Sequence, residues 1–275
     1  MPRFKLTIEY AGTRYSGWQI QKNAKTIQGE IDRAVRTVTG RKDFELYGSG
    51  RTDAGVHAAG QIAHLDVSTN LPAESLRRRV NDELPADINV LAAEQVSHRF
   101  HARHDAVGRR YVYQIARRRT AFTKAFVWWV KEPIDIARMR TAAAAFVGMK
   151  DFKSFVESDE SESPQRASGG ADRPPSRERS TLVLIDRLDI VEDGALVLVA
   201  IEGSHFLWKM VRRIVGVLVE IGRGGLEPEA AAQWLRDESP APAKLTAPPS
   251  GLFLERVYYK HDTRDTAVRA ITPIR

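Results

Sequence analysis

The chain has 275 residues, 43% of them hydrophobic, enough to close a core in one large domain or in two half-size ones. Its 42 Lys and Arg outnumber 35 Asp and Glu for a net charge of +7, so a polyanion is a better-matched partner than an acidic small molecule, unless the excess is only a generally basic surface. Cysteine is absent, which excludes disulfides, thiolate nucleophiles and thiolate metal sites and fits a reducing compartment.

The first segment, MPRFKLTIEY, alternates Phe4, Leu6, Ile8 and Tyr10 with Lys5, Thr7 and Glu9, the period of a half-buried antiparallel strand. It lacks the apolar core and cleavage site of a leader, and no apolar run reaches bilayer length, so a cytoplasmic location is expected without membrane contact. After a turn with Tyr15 and Trp18, Ile27, Ile31, Ala34, Val35 and Val38 recur at helical spacing from about residue 26 to Thr39, and Gly40 stops the run. Strands are predicted at Phe44–Tyr47 and Gln61–Val67, a helix near 72–82 and a strand near 87–96, giving β-α-β-β-α-β. A similar order follows. It has a strand at Tyr111–Ala116, a helix at Ile136–Val147, strands at Thr181–Val191 and Ala195–Ile201, helices at Phe206–Ile221 and Pro228–Arg236, and a last strand at Phe253–Tyr259. The element order predicts two α+β halves, residues 1–105 and 106–260, sharing a groove wide enough for a large ligand. Residues 157–180 are rich in Ser, Pro, Gly and charge and read as an insertion without a core. APAKLTAPPSG reads as an extended connection, and 261–275 as a polar tail.

Three constellations carry candidate chemistry. The loop GSGRTDAGVHAAGQ holds four glycines and sets Arg51 and Asp53 two apart; on these residues alone it is equally a ligand-presenting loop or a tight hairpin capped by Asp53. Segment 98–119 has seven Arg and three His against one acid, Asp105, with Phe100, Tyr111 and Tyr113 interleaved. Guanidinium forks for phosphate and rings for bases describe a nucleic-acid groove better than a solvated face. Arg77, Arg78 and Arg79 form a second basic cluster. In SHFLWKMVRRIVG an apolar stripe adjoins Arg212, which either snorkels to solvent or pairs with a carboxylate such as Asp53. His57, His64, Asp66 and Asp53 match no compact metal motif, Ser49 lacks a nucleophile elbow, and no phosphate loop is present.

Taken together, these segments resemble the TruA family of tRNA pseudouridine synthases. The signature GRTDAGVHA is intact from Gly50 to Ala58. Further islands in family order are YSGWQIQ, TIQGEID, LPADINV, FHAR, RRYVYQI, DFKSF, HFLWKMVRRIVG and GLFLERVYY, from about Arg3 to Tyr259. Departures are residues 158–179, a strand RSTLVLIDRL without the usual Thr-Val-Arg, Trp208 and Lys209 before MVR, and His104 after FHAR.

The resemblance implies the pseudouridine synthase fold: two ferredoxin-like α+β halves joined in one mixed, mainly antiparallel sheet, with helices on one face and a basic cleft. It implies isomerisation of uridine to pseudouridine in the anticodon stem-loop of tRNA, at positions 38, 39 and 40, with no cofactor and no metal. The implied partners are tRNA, contacted at the anticodon stem-loop and elbow, and a second copy of the chain in a homodimer. Asp53 is implied as nucleophile, Tyr111 as the ring that stacks on the base and accepts its proton, and Arg212 as the aspartate's basic partner. Arg51 is implied in flipping the nucleotide, and Leu252 as an apolar active-site position. Arg77, Arg78, Arg109 and Arg110 are the expected RNA contacts on charge. The rival readings are a noncatalytic RNA-binding or chaperone protein, and the same chemistry on another RNA.

Overall fold

The computed structural model describes residues 1–156 and 180–274. Except for Ser180, the insertion expected at 157–180 lies outside the described residues. The fold is α+β, with a large mixed sheet and helices. Residues cluster into two compact units: 1–132, 189–202 and 248–275 in the first, and 133–188 and 203–247 in the second.

The first unit opens with β1 (Arg3–Tyr10), whose Phe4, Leu6, Ile8 and Tyr10 are all buried, as the period-2 pattern requires. Helix α1 (Ile27–Thr39) is capped by Thr26, whose side chain accepts from Gly29 N–H, and ends at Gly40 in the left-handed region. Strands β2 (Glu45–Gly48) and β3 (His57–Asp66) form an antiparallel pair, followed by α2 (Ala73–Glu83) and β4 (Ile88–Val96). The β-α-β-β-α-β order expected of this stretch is present. Strand β5 (Ala106–Ala116) starts earlier than expected, and a short β6 (Trp128–Trp129) pairs parallel to its end. The last strand, β10 (Leu252–Tyr259), is antiparallel to β5 and parallel to β3, so it sits between two strands far from it in sequence. Strand β8 (Leu182–Asp193) turns at Gly194 into β9 (Leu196–Gly203), every residue of which is buried. The sheet path in this unit is β4-β1-β3-β10-β5-β9-β8.

After β10 the chain stays on the sheet. Arg110 holds the carbonyls of Asp265 and Ala267, and Gln114 Oε1 accepts from the N–H groups of Ile271 and Thr272. Ile274 packs with Ala116, Val127, Leu196 and Leu198. The polar tail is therefore docked, and its few apolar residues extend the core.

The second unit holds α3 (Ile136–Ala143), β7 (Gly148–Asp151), α4 (Met210–Gly222), α5 (Glu229–Arg236) and the short α6 (Ala241–Lys244). β7 pairs with residues 182–185 of β8, and Phe146, Phe152 and Phe155 form an aromatic cluster with centroids 5.3–6.3 Å apart. Two expectations need correction. The helix predicted from Phe206 begins at Met210, because Lys209 lies in the left-handed region at φ 59°, which interrupts helical hydrogen bonding. The segment expected to be extended at 241–251 contains α6 and a helical turn at Pro249–Gly251, each with a Pro preset in φ at its start. Along α4, a Cβ on Gly216 would stand 1.6 Å from the Leu245 carbonyl oxygen, so only glycine admits that approach.

Candidate active site

The loop joining β2 to β3 presents Asp53, and buried polar side chains hold that loop in place. Tyr10, the last residue of β1, places its hydroxyl 2.8 Å from Thr52 Oγ1. Gln61, fully buried in β3, donates to the Gly50 carbonyl at 2.9 Å and accepts from Ser49 Oγ at 2.8 Å. Backbone bonds add to this: Ser49 N–H to Ile62 O, Trp18 N–H to Thr52 O, Gly55 N–H to Tyr15 O, and Val56 N–H to Asp53 O. Gly17, at φ +94°, lets the chain pass so close that a Cβ would lie 2.6 Å from Thr52 O. Each such bond is worth about 1 kcal/mol net, and breaking one strands a buried polar group at about 1–3 kcal/mol, so the loop has little freedom. Asp53 itself is half-buried, and Arg51 beside it is exposed.

His57 ends the loop and is fully buried. Its Nδ1 accepts from Gly12 N–H at 3.0 Å, which puts the ring proton on Nε2, 3.1 Å from the Ala125 carbonyl. The ring stacks on Phe253 at 4.7 Å and leans on Phe126 at 5.0 Å. Burial pushes its pKa down to about 4, against the pull of hydrogen bonding to the backbone at Ala125 and Ser250. His64 Nδ1 likewise accepts a backbone N–H, from Ala102. Among the described residues no group of three or more His, Asp or Glu is arranged to hold a metal ion.

Tyr111 lies in β5 opposite Leu254 of β10 and is 9% exposed. Burial pushes its phenol up to about 12, with the Asp53 charge adding to the rise and the Arg109 charge opposing it. Asp53 and Arg109 therefore both act electrostatically on Tyr111, with opposite sign. Arg109 donates to the carbonyls of Ser49 and Arg103, both at 3.1 Å, so it clamps the Asp53 loop; burial lowers its pKa. Arg110, one residue on and on the opposite face of β5, is 4% exposed and pairs with Glu255 at 2.8 Å besides holding the tail. Arg77 is paired with Glu74 at 2.6 Å, while Arg78 is exposed and 3.6 Å from the same carboxylate. Leu252 is buried at the start of β10, opposite Tyr113, whose hydroxyl donates to Pro248 O. In the second unit Arg212 is half-buried on α4; its Nε donates to Ala247 O at 2.7 Å, and its carbonyl accepts from Ala247 N–H. Its neighbour Arg213 is the buried arginine of the pair and donates to Val156 O.

Sequence reasoning misses the supporting role of Tyr10, Ser49, Thr52, Gln61 and His57, which hold the loop through side-chain hydrogen bonds. The available signal was a polar side chain at an inward strand position, as with Gln61 between Gly60 and Ile62, since a buried amide must find partners.

The site is thus a half-buried carboxylate on a held glycine-rich loop, acting electrostatically on a buried tyrosine in an α+β mixed sheet, and the class of protein that carries it is given by its relatives: the pseudouridine synthases, which are isomerases. The family model described as tRNA pseudouridine synthase matches residues 6–105 and 142–260. tRNA pseudouridine synthase A of Geobacter sulfurreducens is 38% identical over 261 residues, 94% of this chain and 100% of that protein. That of Citrifermentans bemidjiense is 39% identical over 263 residues, covering 94% and 98%. tRNA pseudouridine synthase A 2 of Clostridium perfringens is 34% identical over 261 residues, covering 94% and 100%. The chain belongs to the tRNA pseudouridine synthase family.

Proposed function

We propose that this protein isomerises uridine to pseudouridine in the anticodon stem-loop of tRNA, at the cluster of neighbouring positions 38 to 40, with Asp53 as nucleophile. The observation that carries the reading is the Asp53 loop: GRTDAGVHA complete, held by Tyr10 at the Thr52 side chain and by Gln61 and Arg109 at the backbone, and its carboxylate acting electrostatically on the Tyr111 phenol.

The chemistry follows from these groups. Asp53 attacks the uridine or its ribose as the C1′–N1 bond breaks; the base turns and C5 bonds to C1′, the bond to Asp53 breaks and its electrons return to the carboxylate, the C5 proton leaves and N1 gains one. Atoms and electrons balance without an oxidant or a hydrolytic water. Tyr111, whose phenol is neutral at physiological pH, offers a ring face to the detached base and a phenol oxygen that accepts the C5 proton as its own proton passes toward N1, which must gain one. Arg212 is the cation proposed to keep Asp53 ionised, on the match of MVR to the family, and Arg51, exposed beside Asp53, is proposed to support the flipped nucleotide. Leu252 supplies an apolar wall. Arg77, Arg78 and Arg109 are proposed phosphate contacts, with Arg110 acting from beneath the strand. A homodimer in the cytoplasm, with one tRNA touching both subunits at anticodon stem-loop and elbow, completes the proposal on the family resemblance.

The test is tritium release from tRNA labelled at uridine C5. Wild type is expected to release it, and Asp53→Asn to abolish release while holding tRNA affinity within about tenfold, since the isostere loses only the nucleophile. Absent release from wild type would leave only an RNA-binding protein; collapse of binding in the variant would make Asp53 structural.

A further inference from the structure

The tip of the loop 117–127 between β5 and β6 carries an unusual ring. Phe122 is 97% exposed, the most exposed of the large hydrophobic side chains among the described residues. Trp129, 43% exposed, lies under the Arg119 guanidinium at 6.0 Å. Arg118, Arg119 and Lys124 are exposed around Phe122, and residues 116–131 contain no acid.

The tip is not a loose end. Arg117 fixes the entry to the loop through Glu192 at 2.6 Å and the Gly194 carbonyl at 2.8 Å. Thr120 and Thr123 bond across the turn, with hydroxyls 3.0 Å apart and Thr123 N–H donating to Thr120 Oγ1. At the exit, Gln114 donates to Phe126 O and Ser250 to Val127 O, and the Nε2 of His57 meets Ala125 O. His57 is four residues from Asp53, so one imidazole ties the base of this loop to the catalytic loop.

We propose that Phe122 is a stacking platform for an unpaired nucleotide of the RNA substrate, with Arg118, Arg119 and Lys124 holding the adjoining phosphates. The proposal rests on the reading of the chain as a tRNA-modifying enzyme. A planar ring held out in water by an ordered turn gains by covering a face, and every base offers one. Cations on both sides without an acid select a polyanion as the strand that brings it. Because the loop is tied to His57, the nucleotide held there belongs to the same RNA whose uridine reaches Asp53.

Binding of unmodified tRNA and its isomerisation kinetics would be compared for wild type, Phe122→Ala, Phe122→Leu and Phe122→Trp. The side chain is at the surface, so each variant should fold, which circular dichroism checks. The alanine and leucine proteins are expected to bind tRNA about five- to a hundredfold more weakly, the loss appearing in KM, while tryptophan restores affinity. The slope of log affinity against log salt should be the same in all four, since no cation has been removed. Alanine within twofold of wild type overturns the proposal, as does leucine equal to phenylalanine. So does a loss that tracks a change of oligomeric state in sedimentation, which would make the ring a contact between copies of the chain. A wild type that binds tRNA yet releases no tritium would overturn the catalytic reading alone, and the four-way binding comparison would still decide Phe122.

Discussion

Lowering the pH should withdraw a measurable share of stability through His57. Its imidazole titrates near 6.5 when exposed and at about 4 in the fold, where burial disfavours the charged ring and Nδ1 is occupied by Gly12 N–H. The sign follows from linkage. Below pH 6.5 the unfolded chain binds a proton that the folded chain refuses, so stability is full above 6.5 and falls until pH approaches 4, where the folded ring also protonates. At about 1.36 kcal/mol per pH unit, the loss from this group between pH 7 and pH 4.5 comes to about 2.5 kcal/mol. Urea unfolding at both pH values, read by tryptophan fluorescence, measures it against His57→Gln. That variant should be less stable at pH 7 by about 2–3 kcal/mol, because Gln cannot satisfy both Gly12 N–H and Ala125 O. Its further loss at pH 4.5 should be smaller than wild type's by about 2.5 kcal/mol. His64, also pushed down to about 4 by burial, is present in both proteins and cancels in the difference. Stability curves that fall in parallel would refute the buried neutral imidazole.

Three further expectations are open to experiment. Tyr111→Phe keeps the ring and removes the phenol, so tRNA affinity should hold while kcat falls by about a hundredfold or more; an unchanged kcat would leave Tyr111 a stacking residue only. Replacing Arg118 and Arg119 by alanine should weaken tRNA binding and flatten its salt dependence by up to about two phosphate contacts, and an unaltered slope would remove both from the interface. Ending the chain at Lys260 strips Arg110 of the Asp265 and Ala267 carbonyls and uncovers the cluster around Ile274, so thermal unfolding should shift by the equivalent of at least about 3 kcal/mol; an unshifted melt would make the docked tail ornamental.

What could be read in the sequence was mostly local. Helix α1 was legible because Thr26, the stripe from Ile27 to Val35 and Gly40 each mark it within a few residues. The β-α-β-β-α-β element order along the N-terminal stretch is legible for the same reason. Strand β3 runs back to His57, beyond its expected start at Gln61, because its first residues pair with Phe253 and Leu254, almost two hundred positions away. The early start assigned to α4 failed at Lys209, whose left-handed backbone no propensity marks. Asp53 could be singled out as a residue from its motif, but Gln61 looked like an ordinary strand position, and its role depends on Gly50, Ser49 and Tyr10 converging on it in space. Arg109 and Arg110 are indistinguishable as basic groups in the sequence. Strand alternation sends one to the Asp53 loop and the other into the tail.

The place of β10 governs when this protein can exist as an enzyme. During synthesis β3 and β5 emerge early, yet the strand that joins them, with Leu252 and the ring that covers His57, is among the last made. Until then both carry open edges on the ribosome, templates for mispairing that the finished sheet no longer offers. A chain broken off before residue 252 therefore carries the whole GRTDAGVHA segment and cannot complete the sheet that holds it.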